Sequence, residues 1–165
     1  MSGAKPGLRP FKPADGPALA ALFEASIFEL TGEDYSPEQQ EAWAAAAEDT
    51  DAFAARLGGL LTLVAVAGGA PVGFVAVKDN AHVEMLYVHP QAAGQGIARL
   101  LCDAAETLAA SRGERRMSVD ASDTALGFFQ HRGYVPQRRN SVPRGDVWLA
   151  NTTLHKPIGG PETAH

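Results

Sequence analysis

Residues 83–101 read V-E-M-L-Y-V-H-P-Q-A-A-G-Q-G-I-A-R-L-L, and they change twice from one structural pattern to another. An apolar, strand-like run ends at His89-Pro90, a short loop carries Gly94 and Gly96, and a helical pattern begins at Ile97. The first backbone N–H groups of a helix lack partners, and the helix dipole adds partial positive charge there. Glycine also lets the backbone approach an anion closely. The stretch therefore predicts a binding site for a phosphorylated small molecule.

The composition is typical of one soluble domain. The chain has 165 residues, of which 45% are hydrophobic and 20% are charged. A net charge of −5 argues against a nucleic-acid partner, which usually selects a basic surface. No apolar run approaches the roughly 20 residues that span a bilayer, and residues 1–5 lack the apolar core of a signal peptide. We expect a cytoplasmic protein without a nucleic-acid or membrane partner, and the many alanines and glycines are typical of a bacterial gene.

Cysteine and histidine usage points away from disulfides and metals. Cys102 is the only cysteine, so no disulfide can form within the chain, which agrees with a reducing compartment. The five histidines have no spacing typical of metal ligands, and we expect no metal.

The order of apolar patterns predicts one mixed α/β domain over residues 1–156, with a loose tail from residue 157. Its central sheet is expected to have about six or seven strands, flanked by about four or five helices. Strands are predicted at residues 7–11, 61–67, 72–78, 81–88, 116–120, 134–141 and 147–155. Helices are predicted after residue 15, with apolar spacing over residues 18–23 and an end near residue 30, then from residue 37 onward, and at 51–57, 96–111 and 122–132.

A second motif follows the glycine loop, and the two together resemble a known family. The strand end S-V-D-A-S, residues 118–122, precedes a helix with a double phenylalanine and a Gly-Tyr pair. This unit is similar to the N-x-x-A-x-x-F-Y-x-x-x-G-F motif of the GCN5-related N-acetyltransferases, or GNAT family, and the glycine loop resembles that family's acetyl-CoA motif. The matching positions are Ser122, Ala125, Phe128, Phe129, Gly133 and Tyr134.

An earlier segment also resembles one bacterial branch of these acetyltransferases. That branch combines Y-S-P-x-Q with a nearby A-W, here residues 35–39 and 42–43, and with V-D-A-S at residues 119–122. Independently of the resemblance, Ser36, Pro37 and Gln39 have the order of a helix-capping box.

The resemblance implies an acetyl-CoA-dependent N-acetyltransferase that acts on a small-molecule or peptide amine by direct attack. In the family the strand before the loop separates from the next strand, and pantetheine lies in the gap. The cofactor-binding residues implied here are Leu86, Tyr87, Val88, Gly94, Gln95, Gly96, Ile97, Ala98, Arg99, Ser122, Phe128 and Phe129.

Three positions depart from the family pattern. Ala93 stands where Arg or Gln is usual, although Gln91 gives a second possible alignment of the loop. Ser122 stands where Asn is common, and its hydroxyl can still bond the pantetheine arm. Phe129 stands where many relatives have a Tyr proposed as the general acid, and Phe cannot donate a proton.

Catalysis also requires a base for the amine, because an ammonium is not a nucleophile. Strand alternation predicts that His82, Glu84, Leu86 and Val88 share one face, with Tyr87 on the other. By resemblance, Glu84 is our first choice for the base and His82 the second. The proton donor for the leaving thiolate is left open among Tyr87, Tyr134, Ser122 and Cys102, of which Ser122 is the best placed by motif.

Other polar residues have plainer interpretations. We interpret Trp43 as core and Asp34 as surface, and Arg138, Arg139 and Arg144 as a solvated edge. The departures at Ala93 and Phe129 leave a second function open, a CoA-binding module with weak or no catalysis. We expect a monomer or a homodimer.

Overall fold

The computed structural model describes residues 5–159, in which seven strands form one sheet. The strand order is β1-β2-β3-β4-β5-β7-β6, and every neighbouring pair is antiparallel except β4 and β5. The strands are β1 (Gly7–Pro10), β2 (Leu61–Ala67), β3 (Ala70–Lys78), β4 (His82–Val88), β5 (Arg116–Ser122), β6 (Val135–Arg144) and β7 (Val147–Pro157).

Five α-helices cover the two faces of this sheet. The helices are α1 (Gly16–Leu30), α2 (Pro37–Ala44), α3 (Thr50–Gly58), α4 (Ile97–Ser111) and α5 (Leu126–His131). Helices α1 to α3 enclose one hydrophobic cluster, around Phe23, Phe53 and Phe74. Helices α4 and α5 enclose the other, around Leu101 and Phe129. Between residues 5 and 159, no helix is long and apolar enough to cross a membrane.

The sequence pattern predicted the architecture, and the structure corrects some of its boundaries. Helix α5 begins at Leu126 rather than at Ser122, because Ser122 accepts hydrogen bonds from the Ala125 N–H and starts a turn. The last strand extends to Pro157, and Ile158 is buried with its N–H bonded to the Arg115 carbonyl. The predicted loose tail therefore begins no earlier than Gly159, and residues 160–165 lie outside the described residues.

Strand β4 contains an extra residue that changes which side chains share a face. Val83 pairs with Val77 and Met85 pairs with Ala76, so Glu84 has no partner on β3 and forms a β-bulge. As a result Val83 lies on the same face as Leu86, against the cluster under α4. The prediction that one face carries His82, Glu84, Leu86 and Val88 is therefore wrong.

The parallel pair β4 and β5 is joined only at its beginning. His82 pairs with Ser118 and Val83 with Val119, and no further pairs follow between these strands. Beyond that point β4 stays paired with β3 as far as Val88, while β5 stays paired with β7 as far as Ser122. The two strands therefore separate towards their carboxyl ends, and a gap opens inside the sheet.

Helix α4 approaches the sheet closely at one glycine. A Cβ atom on Gly73 of β3 would lie 2.8 Å from Cγ2 of Ile97 and 3.2 Å from Cδ1 of Leu101. Gly73 thus lets the first turn of α4 pack against β3 without a side chain between them. This contact fixes the loop before α4 beside the end of β4.

Candidate active site

The gap between β4 and β5 is the mouth of a cleft with a volume of about 260 Å³. One wall of the cleft is β4, and the other is β5 with the start of α5. On the sheet face covered by α1–α3, the cleft is enclosed by α2, α3 and the β6–β7 hairpin. The polar side chains that line the cleft are Tyr35, Trp43, Arg56, His82, Glu84, Tyr87, Asp120, Ser122, Arg144 and Asn151.

The glycine loop lies beyond the end of β4 and has the backbone conformation that its glycines predict. Gly94 has a φ of 79° and Gly96 a φ of 81°, values at which other residues are strained. The first bond inside α4 runs from the Leu100 N–H to the Gly96 carbonyl, 3.0 Å. The N–H groups of Ile97, Ala98 and Arg99 therefore have no carbonyl partner within the helix and can meet an anion.

His82 lies between two carboxylates at the closed end of the cleft. Its Nε2 is 3.7 Å from an oxygen of Asp120 and 4.0 Å from an oxygen of Glu84. Its Nδ1 forms a 2.7 Å hydrogen bond with the Ser118 hydroxyl, which fixes the ring. The ring therefore faces two carboxylate oxygens and a hydroxyl.

Glu84 is held by a cation that the sequence motifs do not include. Nη2 of Arg56, on α3, donates a 2.9 Å hydrogen bond to Oε2 of Glu84. Helix α3 packs on the same face of the sheet as Tyr87, and Glu84 is bonded to Arg56 of that helix. Glu84 and Tyr87 therefore lie on the same face, and the prediction of opposite faces is wrong. The ion pair occupies one oxygen of Glu84 and leaves the other directed towards His82.

Proton donors for a leaving group are few in the cleft. Phe129 is only 2% exposed and its ring has no proton to give. The Tyr134 hydroxyl donates to Glu106, outside the residues that line the cleft, and burial raises its pKa. The Ser122 oxygen accepts from the Ala125 N–H at 3.1 Å, so its own proton is free to be donated into the cleft.

Two aromatic side chains form the wall between α2 and β4. Nε1 of Trp43 donates a 3.0 Å hydrogen bond to the Tyr87 hydroxyl. Burial raises the pKa of Tyr87 to about 12, so the phenol is protonated at neutral pH. The interpretation of Trp43 as a core residue is incomplete, because its ring packs among aromatic residues and also faces the cleft.

The Y-S-P-x-Q segment attaches α2 to the far wall of the cleft. The predicted capping box is present, with Ser36 and Gln39 bonded to each other's backbone N–H groups. Nε2 of Gln39 also donates to the Trp148 carbonyl at 2.7 Å. The Tyr35 hydroxyl donates to the Ala150 carbonyl at 2.7 Å and accepts from the Asp123 N–H at 2.8 Å.

The structure brings together part of the predicted site. His82, Glu84, Leu86, Tyr87, Ser122 and Phe129 all line the cleft. The loop from Gly94 to Arg99 lies outside it, at the end of β4, and Ile97 is buried against the sheet, so only its backbone faces outward. Phe128 packs against the cluster under α4, with the Arg132 guanidinium 5.9 Å from its ring.

Sequence reasoning missed Arg56, Asp120 and Arg144 as lining residues. Arg144 belongs to the predicted solvated edge, yet it faces the cleft from the β6–β7 hairpin. Asp120 lies within the S-V-D-A-S motif but was not singled out, whereas the motifs gave no signal for Arg56 and Arg144, which reach the cleft only through tertiary packing. Within the described part of the chain, no group of three or more His, Cys, Asp or Glu side chains is arranged to hold a metal ion.

The comparison with protein families agrees with this geometry. The model of the acetyltransferase (GNAT) domain matches residues 31–150, which include the glycine loop and all the cleft-lining residues except Asn151. The chain belongs to the GNAT family. This assignment confirms the resemblance in the sequence motifs, and it makes the chain an N-acetyltransferase of the acetyl-CoA-dependent type.

Individual relatives support the same assignment. The chain is 28% identical over 151 residues to the uncharacterized N-acetyltransferase YafP of Escherichia coli K12, covering 91% of this chain and 95% of that protein. A crystal structure described as a GCN5-related N-acetyltransferase, aminotransferase class II, from Rhodopseudomonas palustris is 52% identical. It superposes with a TM-score of 0.92 and covers 96% of this chain and 99% of its own.

A more distant GNAT structure shares the fold. The PaiA N-acetyltransferase of Thermoplasma acidophilum, solved in complex with coenzyme A, is 17% identical and has a TM-score of 0.75. The match covers 93% of this chain and 99% of that one. Together these likenesses confirm the predicted single α/β domain with its mixed sheet.

Proposed function

We propose that this GNAT protein transfers the acetyl group of acetyl-CoA to the primary amine of a small molecule or peptide by direct attack. The observation that carries the proposal is the gap between β4 and β5. It has unpaired helix N–H groups beyond one end and the cluster of His82, Glu84 and Asp120 at the other. One ligand can therefore reach from an anion site to a base.

The glycine loop is the proposed site of the CoA pyrophosphate. Ala93 supplies no polar side chain, and the Gln95 N–H already donates to the Ala92 carbonyl at 3.3 Å. Binding therefore rests on the backbone N–H groups from Gly96 to Arg99 and on the dipole of α4. Gly96 is the N-cap of α4, and its left-handed conformation lets the chain enter the helix at this point. The proposed anion site is therefore formed by backbone atoms.

The pantetheine arm would lie along the free edge of β4, from Leu86 to Val88, with Ser122 and Phe129 on the opposite wall. The His89 N–H donates to the Val72 carbonyl on β3 at 2.8 Å. Because successive N–H groups of a strand point to opposite edges, the Val88 N–H faces the gap. It is our candidate donor to the thioester oxygen, on which negative charge develops during the reaction.

In the proposed reaction His82 takes a proton from the amine, directly or through water, with Glu84 and Asp120 stabilising the imidazolium. The amine nitrogen bonds to the carbonyl carbon, and the C–S bond then breaks. The electron pair leaves on sulfur as the CoA thiolate, and Ser122 is the proposed donor of its proton. Glu84 remains the alternative base.

The second candidate is a CoA-binding module with weak or no catalysis, favoured by the hydrocarbon ring of Phe129 at the position of the usual acid. Turnover distinguishes the two candidates. We expect release of free CoA when acetyl-CoA is incubated with a panel of amines, and acetylated products detectable by mass spectrometry. Tight binding of acetyl-CoA by calorimetry with no release across the panel would reject the enzyme and favour the module.

A further inference from the structure

We infer that the acceptor carries a carboxylate as well as the reacting amine, as an amino acid does, and that Arg144 binds this carboxylate. The inference rests on the proposed function, because it assigns the acceptor side of the same cleft. Four observations carry it: the position of the β6–β7 hairpin, its attachment to α2, the unengaged charge of Arg144, and the distribution of charge in the cleft.

The hairpin extends past the end of β5 and over the cleft. Strand β5 ends at Ser122 opposite Asn151, whereas β7 continues back to Val147 and pairs there with Arg144. Val142 lies opposite Leu149, and both line the cleft. Because side chains alternate along a strand, Arg144 lies on the same face as Val142 and is directed towards the cleft.

Helix α2 holds the hairpin in this position. The Gln39 side chain bonds the Trp148 carbonyl, and the Tyr35 hydroxyl bonds the Ala150 carbonyl, both at 2.7 Å. Tyr35 is only 5% exposed, so its bond is protected from water. The strand that pairs with Arg144 is therefore fixed at two points beside the cleft.

Within residues 5–159, Arg144 is the arginine lining the cleft that forms no ion pair. Among residues 5–159 its guanidinium makes one hydrogen bond, from Nη1 to the neighbouring Pro143 carbonyl, 3.1 Å, and no carboxylate is within ion-pair distance. Arg56 is by contrast paired with Glu84, and Arg139 on the same hairpin is paired with Asp123. A planar guanidinium with free donors is suited to a carboxylate.

Charge in the cleft is divided between two ends. The carboxylates of Glu84 and Asp120 lie at the closed end with His82, where an incoming ammonium is attracted and deprotonated. The Arg144 guanidinium faces the same cleft from the hairpin, beyond ion-pair distance of either carboxylate. An amine with an anionic group at its other end complements both ends.

The size of the cleft favours a small acceptor over a protein segment. About 260 Å³ must hold the end of the pantetheine arm as well as the acceptor. An amino-acid-sized molecule fits this space, and Arg144 is among the residues that line it.

The test compares amino acids with their carboxamides, which keep the amine and lose the negative charge. Binding is measured by calorimetry on the full chain saturated with CoA, and turnover by release of free CoA from acetyl-CoA. We expect the wild-type chain to bind the best amino acid about tenfold more tightly than its carboxamide, the factor expected for one charge-assisted hydrogen bond. Arg144→Ala should remove this preference while leaving carboxamide binding unchanged.

Arg144→Lys should retain part of the preference, and Arg138→Ala is the matched control. Arg138 lies on the same hairpin and bonds Asn140 outside the cleft, so its loss should leave the preference intact. Equal binding of acid and amide by the wild-type chain, or an equal loss of both in Arg144→Ala, overturns the inference. Selective binding without CoA release would support the inference and reject the proposed catalysis, so the two failures are distinguishable.

Discussion

The glycine loop region beyond the cleft and the cleft itself offer ligands different parts of the chain. The glycine loop and the edge of β4 present backbone N–H groups, with no polar side chain at Ala93. The side of the cleft facing α1–α3 presents side chains. Among them are His82 and Glu84 of β4 and Arg144 of β6. One region depends on the conformation of the backbone, and the other depends on which residues the tertiary structure brings together.

This difference has a practical consequence for mutation. In the backbone region a substitution acts by changing φ or by placing an atom where the anion should lie, and the glycines at positive φ are sensitive to both. In the side-chain region each functional group can be removed with little change to the fold. The following predictions use this contrast.

The largest expected effect is on catalysis in the side-chain region. His82→Gln should lower kcat by about 10² to 10³-fold, because it removes the proposed general base. Glu84→Gln should lower kcat by only about tenfold, since it removes a charge beside the imidazole. Steady-state kinetics with acetyl-CoA and an active amine give both values.

Acetyl-CoA binding is the control for both variants and should change by less than about twofold, because neither residue touches the phosphates. A larger loss of kcat in Glu84→Gln than in His82→Gln would reverse the assignment of the base. Normal kcat in both would remove the cluster from the mechanism.

The next effect tests the backbone region. Gly96→Glu should weaken acetyl-CoA binding by about 100-fold, because it combines left-handed strain with a negative charge beside the pyrophosphate. Gly69→Glu is a closely matched control, since Gly69 has a φ of 82° and open space around its Cβ, as Gly96 does at 81°.

Gly69 lies in the turn between β2 and β3, so its variant should lose similar stability and keep its affinity for acetyl-CoA. Calorimetric titration measures the affinity, and urea unfolding measures the stability. Equal affinities in Gly96→Glu and the wild-type chain would exclude the loop as the phosphate site.

A smaller effect is expected where α2 meets the hairpin. Tyr35→Phe should lower the free energy of unfolding by about 1–3 kcal/mol, because the Ala150 carbonyl and the Asp123 N–H both lose their partner. It should also raise KM for the acceptor by several-fold, since the hairpin is less firmly held.

Tyr134→Phe is the control that separates the loss of stability from the change in acceptor KM. Its hydroxyl bonds Glu106 outside the residues lining the cleft, so its loss should lower stability without changing the acceptor KM. If both variants change KM equally, the attachment of α2 has no special role at the cleft.

The smallest effect concerns Cys102 on α4. The side chain is 1% exposed, and burial raises its thiol pKa to about 12, so the thiolate is absent at pH 8. A thiol reagent should therefore label the native chain only as fast as it unfolds, with or without acetyl-CoA. Rapid labelling of the native chain at pH 8 would show that α4 is more open than its packing indicates.

Local patterns predicted the helices and strands well. The capping box at Ser36 and Gln39 and the positive φ of Gly94 and Gly96 depend on interactions within a few residues, which sequence spacing can reveal. The start of α5 could not be read in this way, because Ser122 stays paired with Asn151 of β7 and the Asp123 N–H donates to the Tyr35 hydroxyl, and the helix begins only at Leu126.

The catalytic face was predicted incorrectly for a related reason. Simple alternation placed Glu84 and Tyr87 on opposite faces, but the bulge at Glu84 shifts the register of β4 against β3. A bulge depends on pairing with a strand that lies elsewhere in the chain. The pattern within β4 alone therefore carries no sign of it.

The sequence by itself determined the fold and the glycine loop of this GNAT protein, because glycine conformations, caps and apolar periodicity are local properties. Only the tertiary structure decided that Arg56 pairs with Glu84, that Asp120 flanks His82, and that Arg144 faces the cleft. Each of these contacts joins residues from separate elements, and their distance in space is set by how the sheet opens between β4 and β5.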